Sequence, residues 1–379
     1  MRRHNHRAVP GVSFGLITLL SALLLGTSYF QAADTLPREI TDDAFWRMVS
    51  DFSEGGGSFR FEFMSNELEF QSVIPALKKT TKPGGAYLGV GPEQNFTYIA
   101  AVQPKIAFVT DIRRENMLEH LIYKAVFEMS SDRADFVSRL FSRKASPGLN
   151  DNPTVRALFQ AYRTAEPDAQ LFSRNLQAVK DRLMKDHRFR LTSEDQTSID
   201  YIYRTIFNSG TGFNYSGGFG GFRGVSYADL MTATDDEGQP RSYLANEENF
   251  QFVRQMERKN LIVPLVGDFA GPTALRKIGQ YLKKHGASVT AFYTSNVEQY
   301  LFQQGDDWRH FYQNAAALPI DSSSAFIRSS HFAYDTGTQS FKVLRRGNFL
   351  SLLCPMPDLL KAFNEGRLQS YDQVIRMSN

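Results

Sequence analysis

Cysteine is all but missing from this chain. Cys354 stands alone among 379 residues, which excludes an internal disulfide and any multi-cysteine zinc site. Runs of lysine and arginine are absent too, and a nucleic-acid backbone needs concentrated positive charge, so nucleic acid is excluded as the main partner. The seven histidines are scattered, without a His-x-x-x-His or His-Glu-x-x-His pattern, so no catalytic metal is expected. No Gly-x-Ser-x-Gly elbow occurs, and no lysine closes a phosphate-binding glycine loop. Asp235-Asp236-Glu237-Gly238 lacks the later ligands of a calcium loop and reads as a solvated turn. No repeat of about 20–50 residues is visible.

With 42% hydrophobic and 13% aromatic residues the chain can bury a full core, as one large or two ordinary domains. The first 33 residues stand apart. Arg2, Arg3 and Arg7 form a basic start, and Val12 to Gly26 is a nearly unbroken apolar run, the pattern of an export signal. Read through to Phe30 the run reaches about 19 residues, close to a membrane span, so an uncleaved anchor is the alternative. Either reading keeps the basic flank in the cytoplasm and places the body in the periplasm, free or tethered to the inner membrane. No cysteine lies in this segment, which excludes a lipoprotein. Setting Arg2, Arg3 and Arg7 aside brings the 43 lysines and arginines level with the 40 acids, so the body is formally neutral.

The stretch around which the remainder is arranged runs from Gly84 to Arg114. An apolar run (Ala86 to Val90) leads into a turn with Gly89 and Gly91, followed by a helical segment (Glu93 to Val102) and a second apolar run (Ile106 to Thr110) ending on Asp111. Strand, glycine turn, helix, strand and terminal acid make the first half of a nucleotide-binding βαβ unit. Upstream, Thr41 to Phe52 reads as a capped helix, and Ser65 and Asn66 as caps of a helix carrying Leu68 to Leu77. Downstream, Asn116 to Met129 is the second crossover helix. Residues 132 to 208 show about four helical patterns without a strand, an insertion expected to cap the sheet edge as a lid. The seven-glycine stretch Ser209 to Tyr227 is either a plain connection or a substrate-covering loop. The sheet resumes with Leu261 to Val266, ending in Gly267-Asp268, and Val289 to Tyr293, ending in Thr294-Ser295-Asn296. Ser324 to Ile327 and Phe341 to Leu344, about a turn centred on Gly337, are expected to pair as a terminal hairpin. The chain thus divides into 1–33, a first half-sheet in 34–131, an insertion and glycine-rich loop in 132–225, and a second half-sheet in 226–379.

In this order of elements, with YLGVGPEQNFTYIAA, FVTDIRR and LIVPLVGDFAG at the strand ends, the chain resembles a class I S-adenosylmethionine-dependent methyltransferase. The same motifs resemble a group of uncharacterised bacterial proteins. The methyltransferase resemblance covers Leu68 to Asp111 and Leu261 to Leu344. It implies a Rossmann-like open sheet with helices on both faces and a closing hairpin. It also implies Gly89 and Gly91 beside the methionine part of the cofactor, Asp111 on the ribose hydroxyls and Asp268 near the transferred methyl. Two positions depart from that pattern: Tyr87 stands where an acid precedes the glycines, and Glu93 occupies the third glycine position.

A dinucleotide places its pyrophosphate at the amino end of the first helix, against free N–H groups and the positive helix end. Glu93 puts a carboxylate there, and Gln94 stands where the third glycine of G-x-G-x-x-G belongs, so NAD, FAD and ATP are disfavoured against S-adenosylmethionine, which carries no phosphate. The alternative for Glu93 is a favourable first-turn acid; for Asp111, a helix cap or a partner for Arg113 or Arg114; for Asp268, a turn or cap. In the catalytic reading Asp268 is the general base, and Tyr293, Asn296 and Glu298 line the acceptor side. Two functions follow: methyl transfer to an unknown acceptor, or a non-catalytic ligand-binding or interaction protein of the cell envelope that has lost the cofactor. Cytoplasmic synthesis of S-adenosylmethionine, set against an export leader, favours the second. The acceptor and the oligomeric state are not written in the sequence.

Overall fold

The computed structural model describes residues 1, 34–59, 63–145, 149, 151–214, 224–335, 337–343 and 349–378, with the backbone alone at 342 and 343. Residues 34–379 form one compact unit. The expected leader lies outside the described residues, and among these no helix is long and apolar enough to cross a membrane.

The chain opens with α1 (Asp42–Phe52), started by Thr41, whose side chain accepts from the Ala44 N–H. Next comes α2 (Ile74–Thr80), shorter than its apolar pattern suggests. Pro75 lies in its first turn, where a missing N–H costs nothing, and the proline ring disfavours helix before it, so the segment from Ser65 to Val73 stays outside the helix. Then follow β1 (Ala86–Gly89), α3 (Gln94–Val102), β2 (Ile106–Asp111) and α4 (Arg114–Met129).

The insertion between α4 and the next sheet crossover is helical among its described residues: α5 (Arg133–Phe141), α6 (Val155–Arg163), α7 (Ala169–Asp181), α8 (Ser193–Ser209) and α9 (Tyr227–Thr232). Asp132, Thr154, Asp168 and Thr192 start the first four, each accepting from a backbone N–H three residues on. These caps are why the four patterns are legible in the sequence. The insertion packs on α4 and leaves that helix buried on every side, polar positions Asn116, Glu119, His120, Lys124 and Glu128 included.

The second half comprises α10 (Glu247–Arg258), β3 (Ile262–Val266), α11 (Ala274–Lys284), β4 (Val289–Ser295), α12 (Val297–Leu301), α13 (Asp307–Ala316) and β5 (Ile320–Ser330). It closes with β6 (Phe332–Asp335), β7 (Ser340–Val343), β8 (Leu350–Pro355), α14 (Met356–Asn364) and α15 (Tyr371–Arg376). The main sheet has the order β3-β2-β1-β4-β5-β8. Its first five strands are parallel, and β8 runs antiparallel to β5. Strands β1, β2 and β3 are buried at every position, as expected of parallel strands covered on both faces. Helices α3, α4 and α10 pack together on one face; α1, α11, α13 and α14 form a contiguous layer on the other. This is a Rossmann-like α/β fold. Strand order reverses between β1 and β4, and that reversal is where such sheets open a crevice.

The hairpin needs correcting in its strands. Residues Ser324 to Ile327 belong to β5, in the main sheet. The turn at Gly337 instead joins β6 to β7, with Tyr334 opposite Phe341. The strand that closes the sheet is β8, in register from Ala325 opposite Pro355 to Ser330 opposite Leu350.

Candidate functional site

The glycine turn after β1 is held from within. Tyr87 donates its hydroxyl to Asn95 Oδ1 at 2.9 Å, and Asn95 Nδ2 reaches the carbonyls of Val90, Gly91 and Pro92 at 2.9, 3.1 and 2.7 Å. A Cβ on Gly89 would lie 1.9 Å from Asn95 Oδ1, so this glycine is required by the packing of α3 on β1 and does not face a ligand. Gly91 differs. Its φ is +75°, nothing lies within 4 Å of where its Cβ would be, and its carbonyl accepts from His120 Nε2 at 2.9 Å. With Val90 and Pro92 it walls a cavity of about 460 Å³, a volume typical of small-molecule sites.

That cavity lies at the carboxyl ends of β1, β2, β3 and β4. Of the residues singled out in the sequence, Gly91, Asp111, Asp268, Tyr293 and Asn296 line it. Gly89, Glu93 and Glu298 do not. Glu93 is fully buried behind the turn, where neither carboxylate oxygen has a hydrogen-bond partner, and burial raises it to about 8. Burial thus favours the neutral acid, which carries no charge to repel phosphate. Glu298 is turned into the body: Arg328 donates to its two oxygens at 2.8 and 3.2 Å, Tyr312 at 2.5 Å and Thr294 at 2.9 Å. It is one half of a buried ion pair with Arg328, and not part of an acceptor wall.

Asp111 ends β2 and is tied to Arg113. Its Oδ1 accepts from the Arg113 backbone N–H at 2.8 Å and from Nε at 3.1 Å, and Oδ2 accepts from the guanidinium at 3.2 Å. Two donors on Oδ1 and one on Oδ2 leave one lone pair on Oδ2 for a ligand hydroxyl. Asp268 follows β3. Its Oδ1 accepts from the Ala270 N–H at 2.8 Å, fixing the loop, and no described residue donates to Oδ2. That loop is braced from outside the sheet by Glu54, which accepts from the backbone N–H groups of Asp268 (3.2 Å) and Thr273 (3.0 Å).

The sequence reading missed the other side of the cavity. Ser65, expected to cap a helix, instead accepts from the Glu67 N–H at 3.2 Å in a local turn, and Glu67 enters the wall. Glu67 Oε2 accepts from Gln94 Nε2 and from the Tyr293 hydroxyl, both at 2.8 Å, and Oε1 accepts from Ser295 Oγ at 2.5 Å. Ser295 adopts φ +51°, a left-handed conformation outside glycine, at the end of β4. Such strain persists where the surroundings enforce it, and it is concentrated at functional sites. Aromatic rings frame the entrance: Phe59 meets Tyr300 edge-on at 5.4 Å, and His331 packs on Phe349 at 3.8 Å. Pro75 is the one signal that pointed to a non-helical 65–73 segment.

The lid expectation finds no support in the geometry: among the described residues, none from 114 to 266 lines the cavity. The glycine-rich loop, 215–223, lies outside the described residues. Its flanks are joined by a bridge between Asn214 and Ser226. Among the described residues no group of three or more metal-ligating side chains is placed to hold a metal ion.

A family described as Domain of unknown function (DUF7790) matches residues 63–349. The chain belongs to that family, and the match runs from the cavity-forming strap before α2 to Phe349 on the cavity rim. No curated protein matches.

Proposed function

We propose that this member of a family of unknown function binds S-adenosylmethionine in the cavity at the sheet reversal and transfers its methyl group to an acceptor. The observation that carries the reading is the charge and shape of the wall. Among the described residues that line it, Glu67, Asp111 and Asp268 stand against one guanidinium, that of Arg113, already paired to Asp111. A wall with surplus negative charge favours a cation without phosphate over a nucleotide, and the aromatic entrance suits an organic cation. The antiparallel β8 after a hairpin agrees with the resemblance in the motifs.

The residues present fit such a group. Gly91 offers open space where a side chain would intrude, Asp111 Oδ2 keeps one lone pair for a ribose hydroxyl, and the buried Gln94 Oε1 has no donor in the wall. When bound, S-adenosylmethionine supplies an electrophilic methyl on a positively charged sulfur. The chain's own part is alignment, which supplies much of the rate in such transfers, together with a proton acceptor. Asp268 Oδ2 would take the proton of the acceptor nucleophile as the new bond to carbon forms.

A second reading, a ligand-binding protein without catalysis, is favoured by one specific feature. Tyr87 and Asn95 occupy the back of the glycine turn, where the methyltransferase pattern has an acid. Asp111→Asn tests the cofactor site. Affinity for S-adenosylhomocysteine should fall about tenfold, the scale of a lost charge-assisted hydrogen bond, at a temperature where circular dichroism shows the fold intact. Unchanged affinity would remove the ribose role.

A further inference from the structure

The inner wall of the cavity holds a buried carboxylate that no cation among the described residues balances. Glu67 is 3% exposed, and its three hydrogen-bond partners, Gln94, Tyr293 and Ser295, are all neutral donors. No described lysine, arginine or histidine forms an ion pair with it, and the nearby guanidinium of Arg113 is committed to Asp111. Charges are retained in interiors when paired, because an unpaired buried ion loses its hydration without compensation. Three neutral donors fill three of the four carboxylate lone pairs, and the fourth, on Oε1, stays open.

A second, independent observation lies beside it. Gln94 is 1% exposed, donates its Nε2 to Glu67 and leaves Oε1 without any partner. Both residues line the cavity, and each keeps one unfilled acceptor, carboxylate on Glu67 and amide on Gln94. The missing complement is a group with several N–H donors and a positive charge. A quaternary ammonium has no N–H to give, and a hydroxyl has a single O–H and no charge.

We infer that Glu67 and Gln94 form the recognition point for a protonated primary amine carried by the ligand. This rests on the reading that the cavity is the ligand site. It adds which part of the ligand is selected, and by which residues. Glu67 comes from the strap before α2 and Gln94 from the first turn of α3, so the amine would clamp the strap against the glycine turn.

The test compares matched amine and neutral ligands on the full-length protein by calorimetry and ligand-observed magnetic resonance. One pair is S-adenosylhomocysteine against methylthioadenosine, which lacks the amino-acid part; the other is butylammonium against 1-butanol. The wild type should prefer the amine, and Glu67→Gln should cut that preference about tenfold. Gln94→Met should act in the same direction to a smaller extent, and it decides the matter should Glu67→Gln not fold. No amine preference in the wild type in either pair, absence of binding included, overturns the inference, as does a preference that survives both substitutions. Preference within the simple pair alone, with neither adenosyl compound bound, sustains the amine site and overturns the methyltransferase reading.

Discussion

Glu93 and Glu67 are carboxylates that the same turn separates into opposite roles. Glu93 is shut behind it without partners, and burial raises its pKa to about 8 from an ordinary 4.5. A carboxyl whose folded pKa is raised contributes stability that is complete below the unfolded value and is lost as pH rises through the folded one. Wild-type stability should thus decline between about pH 4.5 and about pH 8 through this group. Glu93→Gln should flatten that limb, so that the variant's melting temperature overtakes the wild type's above pH 7. Parallel melting curves at pH 5 and pH 8.5 for both proteins would contradict the assignment. Position 93 shows what the sequence conveys and what it does not. An acid at a helix start is legible, but its surroundings are not: Tyr227, Tyr243 and Glu119, from other segments of the chain, lie within its electrostatic reach.

At the scale of elements, α4 is the member most constrained by the insertion. Its Glu128 is a junction: Lys124 meets Oε1 at 2.8 Å, while Arg182 and His187 meet Oε2, each at 2.7 Å. The other nitrogen of His187 contacts Asp42 at 2.8 Å, so one imidazole ties the first turn of α1 to α4 and to the segment after α7. Both ring nitrogens face carboxylate oxygens. Burial alone would raise the Glu128 carboxyl, but the hydrogen bond from His187 and the charge of Lys124 outweigh it and hold the group at about 2. Here the sign is opposite to that of Glu93. A depressed acid contributes stability above its unfolded value and loses it as pH falls. The loss should amount to roughly 3 kcal/mol between pH 5 and pH 2, measured as the wild-type decline in denaturant stability beyond that of Glu128→Gln. Equal acid sensitivity of the two proteins would contradict the junction.

The elements themselves were largely legible. β1 to β4 are short continuous apolar runs because both sheet faces are covered, and the insertion helices announce themselves by Asp132, Thr154, Asp168 and Thr192. Half of the candidate site was legible for a topological reason. Gly91, Asp111, Asp268, Tyr293 and Asn296 sit at or just past the ends of those strands, where the order reversal leaves a crevice. The other half was not, because Glu67 reaches the cavity through a turn that resembles a helix start. Glu298 misled for the converse reason: its partner Arg328 lies 30 residues away on β5, beyond any local pattern.

The whole molecule combines a Rossmann-like sheet, membership of a family of unknown function and a cavity whose described lining holds more carboxylates than cations. In a formally neutral body, the described carboxylates Glu67, Asp111 and Asp268 gather where the strands end, and that placement supports the proposal of a phosphate-free organic cation as ligand. The most direct measurement is calorimetric titration of the full-length protein with S-adenosylmethionine, S-adenosylhomocysteine, NAD and ATP. Saturable binding of the first two, and none of the phosphate-bearing pair, is the expected result. Binding of NAD or ATP, or no binding of either adenosyl compound to folded protein, would contradict it.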